Sequence, residues 1–160
     1  IHGGGHEQGL RSGTENVAAI VGFGAACEIA AGRMQQFAQR QESMRSRLEQ
    51  GLNEMGAVIF GEKAPRVANT SYFAFQGIMG ETLVIELDKA GYAVAPGAAC
   101  SSANPEPSAT LLGMGVDPEL ARGAVRFSLG AGNTPPQIDE FLKALKSVVT
   151  RLRNLTAIAV

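Results

Sequence analysis

The sequence lacks the features that would direct it to nucleic acid, to a membrane or to an oxidising compartment. Its 14 lysines and arginines nearly balance 15 aspartates and glutamates, and the net charge of −1 offers no basic surface. No apolar run approaches the roughly 20 residues of a membrane span, and no signal peptide is recognisable. The two cysteines form no disulfide framework, which favours the reducing cytosol. We expect a cytoplasmic protein without nucleic acid or membrane partners.

The first residues of the chain are unusual for the start of a domain. The chain begins at Ile1, without methionine, and runs directly into the glycine-rich stretch HGGGHEQGLRSGT. A globular domain rarely opens on such a loop, so we expect the C-terminal part of a longer protein. With 160 residues, 45% of them hydrophobic, the chain is long enough to form a core.

Two helical patterns occupy the first third of the chain. Ser12 and Glu15 have the spacing of a capping box, which predicts a helix over residues 15–31 that ends at Gly32. Its small, apolar composition predicts burial on most sides. Over residues 34–55 hydrophobic side chains recur every three or four positions, which indicates a long amphipathic helix.

Short strands and helices alternate in the rest of the chain. The predicted strands are residues 57–60, 71–75, 92–95 and 125–129. The predicted helices are residues 80–89, residues 109–114 after the cap Ser108, one from Pro118 after the cap Asp117, and one from Pro135 with a Thr134/Gln137 capping box. This alternation predicts an α/β or α+β protein, with a small sheet and helices packed on it.

The N-terminal segment contains a candidate anion site. Arg11 and Thr14 lie at a predicted helix start, where free N–H groups and the helix dipole favour an anion. Ordinary helix capping explains the same residues, and the local pattern leaves both readings open. His2 and His6 are four residues apart, but the three glycines between them disfavour a helical metal site, so we expect no metal.

The two cysteines differ in their surroundings. Cys27 lies in an apolar helical stretch and is interpreted as small, buried and inert. Cys100 lies in the loop APGAACSSANPEPS, where access and the neighbouring hydroxyls of Ser101 and Ser102 would support a thiolate. The pattern alone does not distinguish a reactive thiol from an incidental small residue in a turn.

Arg126 introduces a charge into the predicted strand AVRFSLG. Alternation places Arg126 and Ser128 on one face of the strand and Val125, Phe127 and Leu129 on the other. The guanidinium would pair with a structural carboxylate, or offer its two parallel donors to the carboxylate of a substrate. Both readings stay open at this point.

Three segments together resemble the cysteine desulfurases of the class V aminotransferase group, which are pyridoxal-phosphate enzymes. The segments are HGGGHEQGLRSGTENVAAIVGFGAA, GAACSSANPEPSATLLGMG and AVRFSLGAGNT, and the long cysteine loop is similar to that of the NifS/IscS-like subgroup. The resemblance implies a fold-type I enzyme. Residues 1–31 would be the tail of the large cofactor-binding domain and a long interdomain helix, and residues 32–160 a small C-terminal domain with a mostly antiparallel sheet.

The resemblance also implies a role for each candidate residue. Cys100 matches the cysteine that takes sulfur from L-cysteine as a persulfide, giving L-alanine. The loop then passes the sulfur to an acceptor or scaffold protein for iron–sulfur cluster or thio-cofactor assembly. Arg126 matches the arginine that binds the substrate carboxylate. Thr14 matches the threonine that contacts the pyridoxal 5'-phosphate of the neighbouring subunit in a homodimer.

The sequence departs from the family in two respects. Residues 95–99 read APGAA where the family more often has serines, so hydroxyl support on that side of Cys100 is missing. The family's cofactor lysine lies in a Ser/Thr-x-His-Lys pattern, but no lysine here follows a histidine. We therefore expect the anchoring lysine outside this chain and an inactive fragment.

Two other functions compete with the desulfurase reading. One is another class V enzyme, such as a selenocysteine lyase, which the longer loop disfavours. The other is a stand-alone sulfur carrier or docking module, which would use Cys100 without a cofactor.

Overall fold

The computed structural model describes residues 2–97 and 106–158, the last three by backbone only. A 3-10 turn at Glu7–Gly9 comes first. The helices and strands follow in the order α1 Val17–Glu54, β1 Val58–Ile59, β2 Thr70–Ala74, α2 Gly80–Lys89, β3 Ala95–Pro96, α3 Ala109–Gly113, α4 Pro118–Arg122, β4 Val125–Ser128 and α5 Pro135–Ile158. The predicted alternation of elements is confirmed, although β3 begins only at the last residue of its predicted range.

The four strands form one antiparallel sheet in the order β1-β2-β4-β3. β4 is thus an inner strand, and β3 is an edge strand of two residues. The register places Arg126 of β4 opposite Tyr72 of β2 on one side and opposite Ala95 of β3 on the other. The expected small antiparallel sheet, with helices packed on it and a long helix before it, is confirmed.

One face of the sheet forms the main core with the second half of α1, α2 and α5. Phe73 of β2 and Val125 of β4 face each other there, and both are fully buried. The Phe141 ring of α5 lies 4.6 Å from the Phe127 ring and 5.3 Å from the Tyr92 ring, measured between centroids. The buried helical side chains of this core include Leu48, Leu52, Leu83, Leu87, Ile138 and Leu145.

A smaller apolar cluster lies against α3 and α4, and it consists of Phe60, Ala74, Leu111, Ala121 and Ala124. Both short helices begin at the predicted caps. The Ser108 hydroxyl accepts the Leu111 N–H, and the Asp117 carboxylate accepts the N–H groups of the second and third residues of α4. The predicted start of α5 is confirmed as well, because the Gln137 side chain accepts the Thr134 N–H at 3.0 Å.

The start of α1 differs from the prediction. The capping box is wrong, because the Ser12 hydroxyl donates to the His2 carbonyl and the Glu15 carboxylate lies 3.0 Å from the His6 ring. Asn16 caps the helix instead, and its side-chain oxygen accepts the N–H of residue 19 at 3.1 Å. The Ser12 and Glu15 side chains are therefore bonded within the N-terminal loop and do not cap the helix.

The predicted break at Gly32 is also wrong, since α1 runs unbroken from Val17 to Glu54. A glycine inside a helix costs only about 1 kcal/mol relative to alanine, and the helix formers on both sides outweigh that cost. Contacts divide the chain into two compact units, Ile1–Gln36 and Phe37–Val160.

The first half of α1 is exposed, which corrects the predicted burial. Every residue from 17 to 37 is exposed, and Phe23 keeps 74% of its surface. Cys27 is exposed too, so its interpretation as a buried thiol is wrong for this structure. An apolar segment is buried only where another element packs on it.

By length and composition alone, α1 could also span a membrane, which differs from our reading of the apolar runs in the sequence. One such helix is weak evidence for a membrane span.

Candidate active site

Arg126 lies on an inner strand, with a neighbouring strand paired on each side. Arg126 and Ser128 are exposed, Val125 is buried and Phe127 is partly buried, which confirms the predicted alternation. Among residues 2–97 and 106–158, no side chain or carbonyl pairs with the Arg126 guanidinium. No structural carboxylate therefore pairs with Arg126 in that part of the chain, and the guanidinium is available to a ligand.

Tyr72, Arg126 and Ala95 form a row across three strands. Residues directly opposite each other in an antiparallel pair project on the same face, with Cβ atoms about 4.5–5.5 Å apart. The Tyr72 hydroxyl donates to the Gly97 carbonyl at 3.0 Å, so it reaches the end of β3 from β2. The Gly97 N–H donates to the Ala124 carbonyl at 2.7 Å. These contacts fix the chain just after β3 beside the Arg126 row.

Cys100 falls outside the residues that the structure describes. It follows Gly97 by three residues in the sequence. Covalent geometry alone limits the distance between their Cα atoms to about 11 Å. The role of Cys100 stays a prediction, but its segment starts from a residue that the sheet holds.

The N-terminal loop, which lies in the first unit, contains Thr14. The Arg11 guanidinium donates to the Gly13 carbonyl at 2.8 Å and lies 3.7 Å from the Glu7 carboxylate. Thr14 is exposed, and its hydroxyl makes no hydrogen bond within residues 2–97 and 106–158. Its hydroxyl is therefore available to an anion, whereas Arg11 is already engaged in the loop.

The residues present fit only one part of a pyridoxal phosphate site. The free Thr14 hydroxyl suits a phosphate oxygen. For the aldehyde end the chain offers four lysines, none of which follows a histidine, and Lys89 is paired with Glu86 at 2.7 Å. The chain thus offers a hydroxyl that suits a phosphate, and none of its four lysines matches the family's anchor.

Behind the Arg126 row, on the core side of β2, lies a buried ion pair that the sequence did not indicate. The Arg66 guanidinium donates to both oxygens of Glu49, at 2.7 and 3.0 Å, and the Ser71 hydroxyl donates to one of them at 2.8 Å. Burial by itself would raise the pKa of Glu49, but the hydrogen bonds from Arg66 and Ser71 outweigh it and hold the pKa below its ordinary value of 4.5. The pair ties α1 and the segment before β2 to the strand that contains Tyr72.

Sequence reasoning missed Tyr72 and Gly97. The predicted strand over residues 71–75 contained Tyr72, and its alternation assigned a face to that side chain. What made Tyr72 part of the site was its register against Arg126, and the sequence does not contain that register. Gly97 offered a clearer signal, because a glycine beside a strand end often marks a close approach of the backbone.

Comparison with known proteins agrees with this picture. The Aminotransferase class-V family profile matches residues 4–141. A cysteine desulfurase of Bradyrhizobium diazoefficiens is 42% identical over 96% of this chain and 39% of its own length, and one of Gluconacetobacter diazotrophicus is 39% identical over 98% and 40%. The solved structure of a NifS-like protein superposes with a TM-score of 0.79 at 39% identity, covering 94% of this chain and 38% of that one.

The chain spans about 40% of the length of the curated relatives it matches. Both relatives and the solved NifS-like structure align with nearly all of it, and the family match includes the loop of Thr14, the sheet and the Arg126 strand. On this evidence the chain belongs to the class V aminotransferase family.

Proposed function

We propose that the chain is part of a pyridoxal-phosphate-dependent cysteine desulfurase that takes sulfur from L-cysteine onto Cys100. The observation that carries the proposal is the unpaired guanidinium of Arg126, one strand away from the residues that lead to Cys100. A carboxylate binder and a nucleophilic thiol within chain reach of each other suit a small amino acid substrate. The relatives named cysteine desulfurase, which align with nearly the whole chain, support the same reaction.

In the proposed reaction each residue has a defined task. Arg126 binds the L-cysteine carboxylate through two parallel N–H donors and so orients the substrate thiol. The Cys100 thiolate attacks the substrate sulfur, and a sulfur–sulfur bond forms as the bond from sulfur to the substrate β-carbon breaks. The carbon keeps the electron pair and takes a proton, so that L-alanine leaves and Cys100 holds a persulfide.

The cofactor would be held in part by this chain. Pyridoxal phosphate, when bound, withdraws electron density from the substrate and makes cleavage of its carbon–sulfur bond possible. Thr14 would donate its hydroxyl to the phosphate, and by resemblance it does so across a homodimer. The lysine that anchors the aldehyde would lie outside these 160 residues, so the proposed activity belongs to the longer protein and not to this chain alone.

The persulfide requires an acceptor. The proposed partner is a sulfur-acceptor protein or an iron–sulfur scaffold protein, since a persulfide sulfur is transferred readily to another thiolate. The proposed compartment is the cytosol, because the thiol of Cys100 must stay reduced between turnovers.

The test uses the natural protein that contains this chain, supplied with pyridoxal phosphate and L-cysteine. We expect release of alanine, and a peptide containing Cys100 that is heavier by one sulfur atom. Cys100→Ala should abolish both, whereas Cys27→Ala, the matched change at the other cysteine, should retain them. Alanine release that survives in Cys100→Ala would contradict the proposed nucleophile.

A second pair of variants tests the carboxylate site. Arg126→Lys keeps the charge but loses the two parallel donors, so KM for L-cysteine should rise about tenfold or more. Arg122→Lys is the control, because Arg122 lies on α4 and pairs with Glu119. An Arg126→Lys enzyme with unchanged KM would refute the assignment of Arg126.

A further inference from the structure

We propose that Tyr72 is a positioning residue of the reaction, whose hydroxyl holds Gly97, the first residue after β3, in place relative to Arg126. The inference rests on the proposed function, because it concerns the segment that leads to the nucleophile. It is carried by the bond from the Tyr72 hydroxyl to the Gly97 carbonyl and by the register of Tyr72 against Arg126.

β3 is a weak anchor for the chain that follows it. β3 has two residues, lies at the sheet edge and includes Pro96, which has no N–H to donate. Past it, the Gly97 N–H donates to the Ala124 carbonyl. So short an edge strand does little by itself to fix the direction in which the chain leaves the sheet.

Tyr72 supplies a contact that is independent of this ladder. In the strand order β4 lies between β2 and β3, so the Tyr72 side chain passes over β4 to reach Gly97. The ring is supported from the other side by Phe60, at 5.3 Å between centroids in an edge-on arrangement. The Tyr72 side chain therefore connects the position opposite Arg126 with Gly97, the residue from which the chain continues to Cys100.

The Tyr72–Gly97 contact leaves no room for a side chain at position 97. A Cβ atom on Gly97 would lie 2.4 Å from the Tyr72 hydroxyl oxygen and 2.6 Å from the Ala124 Cβ. Real Cβ atoms do not approach so closely, so residue 97 has to be glycine for the hydroxyl to reach its carbonyl. Ala124, fully buried, is the small residue just before β4 beneath the contact.

The contact has a specific kinetic consequence. Tyr72 bonds the backbone of the segment that leads to the thiol and makes no bond to the Arg126 guanidinium. Loss of its hydroxyl should therefore slow attack on the substrate sulfur without weakening recognition of the substrate carboxylate. One neutral hydrogen bond is worth about a two- to tenfold effect.

The experiment compares Tyr72→Phe with Tyr92→Phe in the natural protein with pyridoxal phosphate. Tyr92 is the only other tyrosine, and its hydroxyl makes no hydrogen bond within the described ranges. For Tyr72→Phe we expect kcat about two- to tenfold lower, KM for L-cysteine unchanged, and faster amide hydrogen exchange at Gly97 with β2 amides still protected. Tyr92→Phe should leave all three as in the wild type.

A second variant approaches the contact from the other side. Gly97→Ala should lower kcat at least as much at constant KM, because its Cβ would also meet Ala124. The double variant with Tyr72→Phe should lose less than the product of the two single losses. Three results would overturn the inference. The kcat losses of the two single variants could multiply fully in the double variant, or kcat could be unchanged in Tyr72→Phe. The third result is a rise in KM together with a general loss of hydrogen-exchange protection in the sheet. A wild-type protein that releases no alanine would instead overturn the proposed function itself.

Discussion

The ion pair between Glu49 and Arg66 allows a sharp prediction about stability. Glu49→Gln keeps the size of the side chain and removes its charge, which leaves the Arg66 guanidinium, only 16% exposed, facing a neutral amide. Breaking a buried pair costs about 3–5 kcal/mol, and since the amide oxygen still accepts one bond, we expect a loss of about 3 kcal/mol. The loss is larger if the Ser71 hydroxyl, which donates to Glu49 in the wild type, does not donate to the amide oxygen.

A matched pair on the surface isolates the effect of burial. Arg47 binds Asp139 through two bonds of 2.5 and 2.7 Å, as short as those of Glu49, but its side chains are 54% and 37% exposed. Asp139→Asn should therefore cost at most about 1 kcal/mol. The two variants differ in burial far more than in geometry.

The assay is native-state hydrogen exchange of β2 and β4 amides in the natural protein, which gives an opening free energy for this sheet. The folded pKa of Glu49 lies below its unfolded value, so its contribution is fully present above about pH 5 and is lost as pH falls through the folded pKa. The gap in opening free energy between wild type and Glu49→Gln should thus narrow as the pH falls below 4.5, the ordinary pKa of the carboxyl group. Equal losses for Glu49→Gln and Asp139→Asn, or a gap independent of pH, would refute the reasoning.

Two further substitutions test local packing and capping. Gly80→Ala should lower stability by about 1–3 kcal/mol, because its Cβ would lie 2.6 Å from the Ala124 carbonyl oxygen; Gly113→Ala, with open space around the new Cβ, is the control in thermal unfolding. Asp117→Ala should cost about 1 kcal/mol through loss of the α4 cap, and Asp117→Asn should restore most of it in the same measurement.

Elements whose start depends on one local side chain were predictable from the sequence. Ser108, Asp117 and Gln137 each bond a backbone N–H within three residues, so their signals needed no tertiary information. The faces of β4 were predictable for the same reason, since alternation is local. The sequence pattern alone therefore sufficed to assign Arg126 to the same face as Ser128, opposite the apolar residues of the strand.

Features that depend on partners distant in sequence were not predictable. The residues of the supposed capping box at Ser12 and Glu15 bond to His2 and His6 instead. The apolar half of α1 suggested burial, but burial requires a surface to pack on. The row of Tyr72 and Arg126 depends on the register of strands more than 50 residues apart, which hydrophobic pattern leaves undetermined.

The position of Arg126 follows from the way the core helix α1 holds the end of its strand. Gln41 donates to the Gly130 carbonyl at 3.1 Å and Arg40 to the Asn133 carbonyl at 2.8 Å, so α1 fixes the turn that follows β4. β4 is paired on both sides and buries Val125 in the core, which makes it a rigid support for a binding group. In the proposed reaction a carboxylate needs a fixed partner, whereas a thiol must meet first the substrate and then an acceptor. The fold supports these needs by placing Arg126 on the inner strand and Gly97, from which the chain continues to Cys100, just after a two-residue edge strand. The Tyr72 hydroxyl bonds Gly97 from the strand that pairs with Arg126.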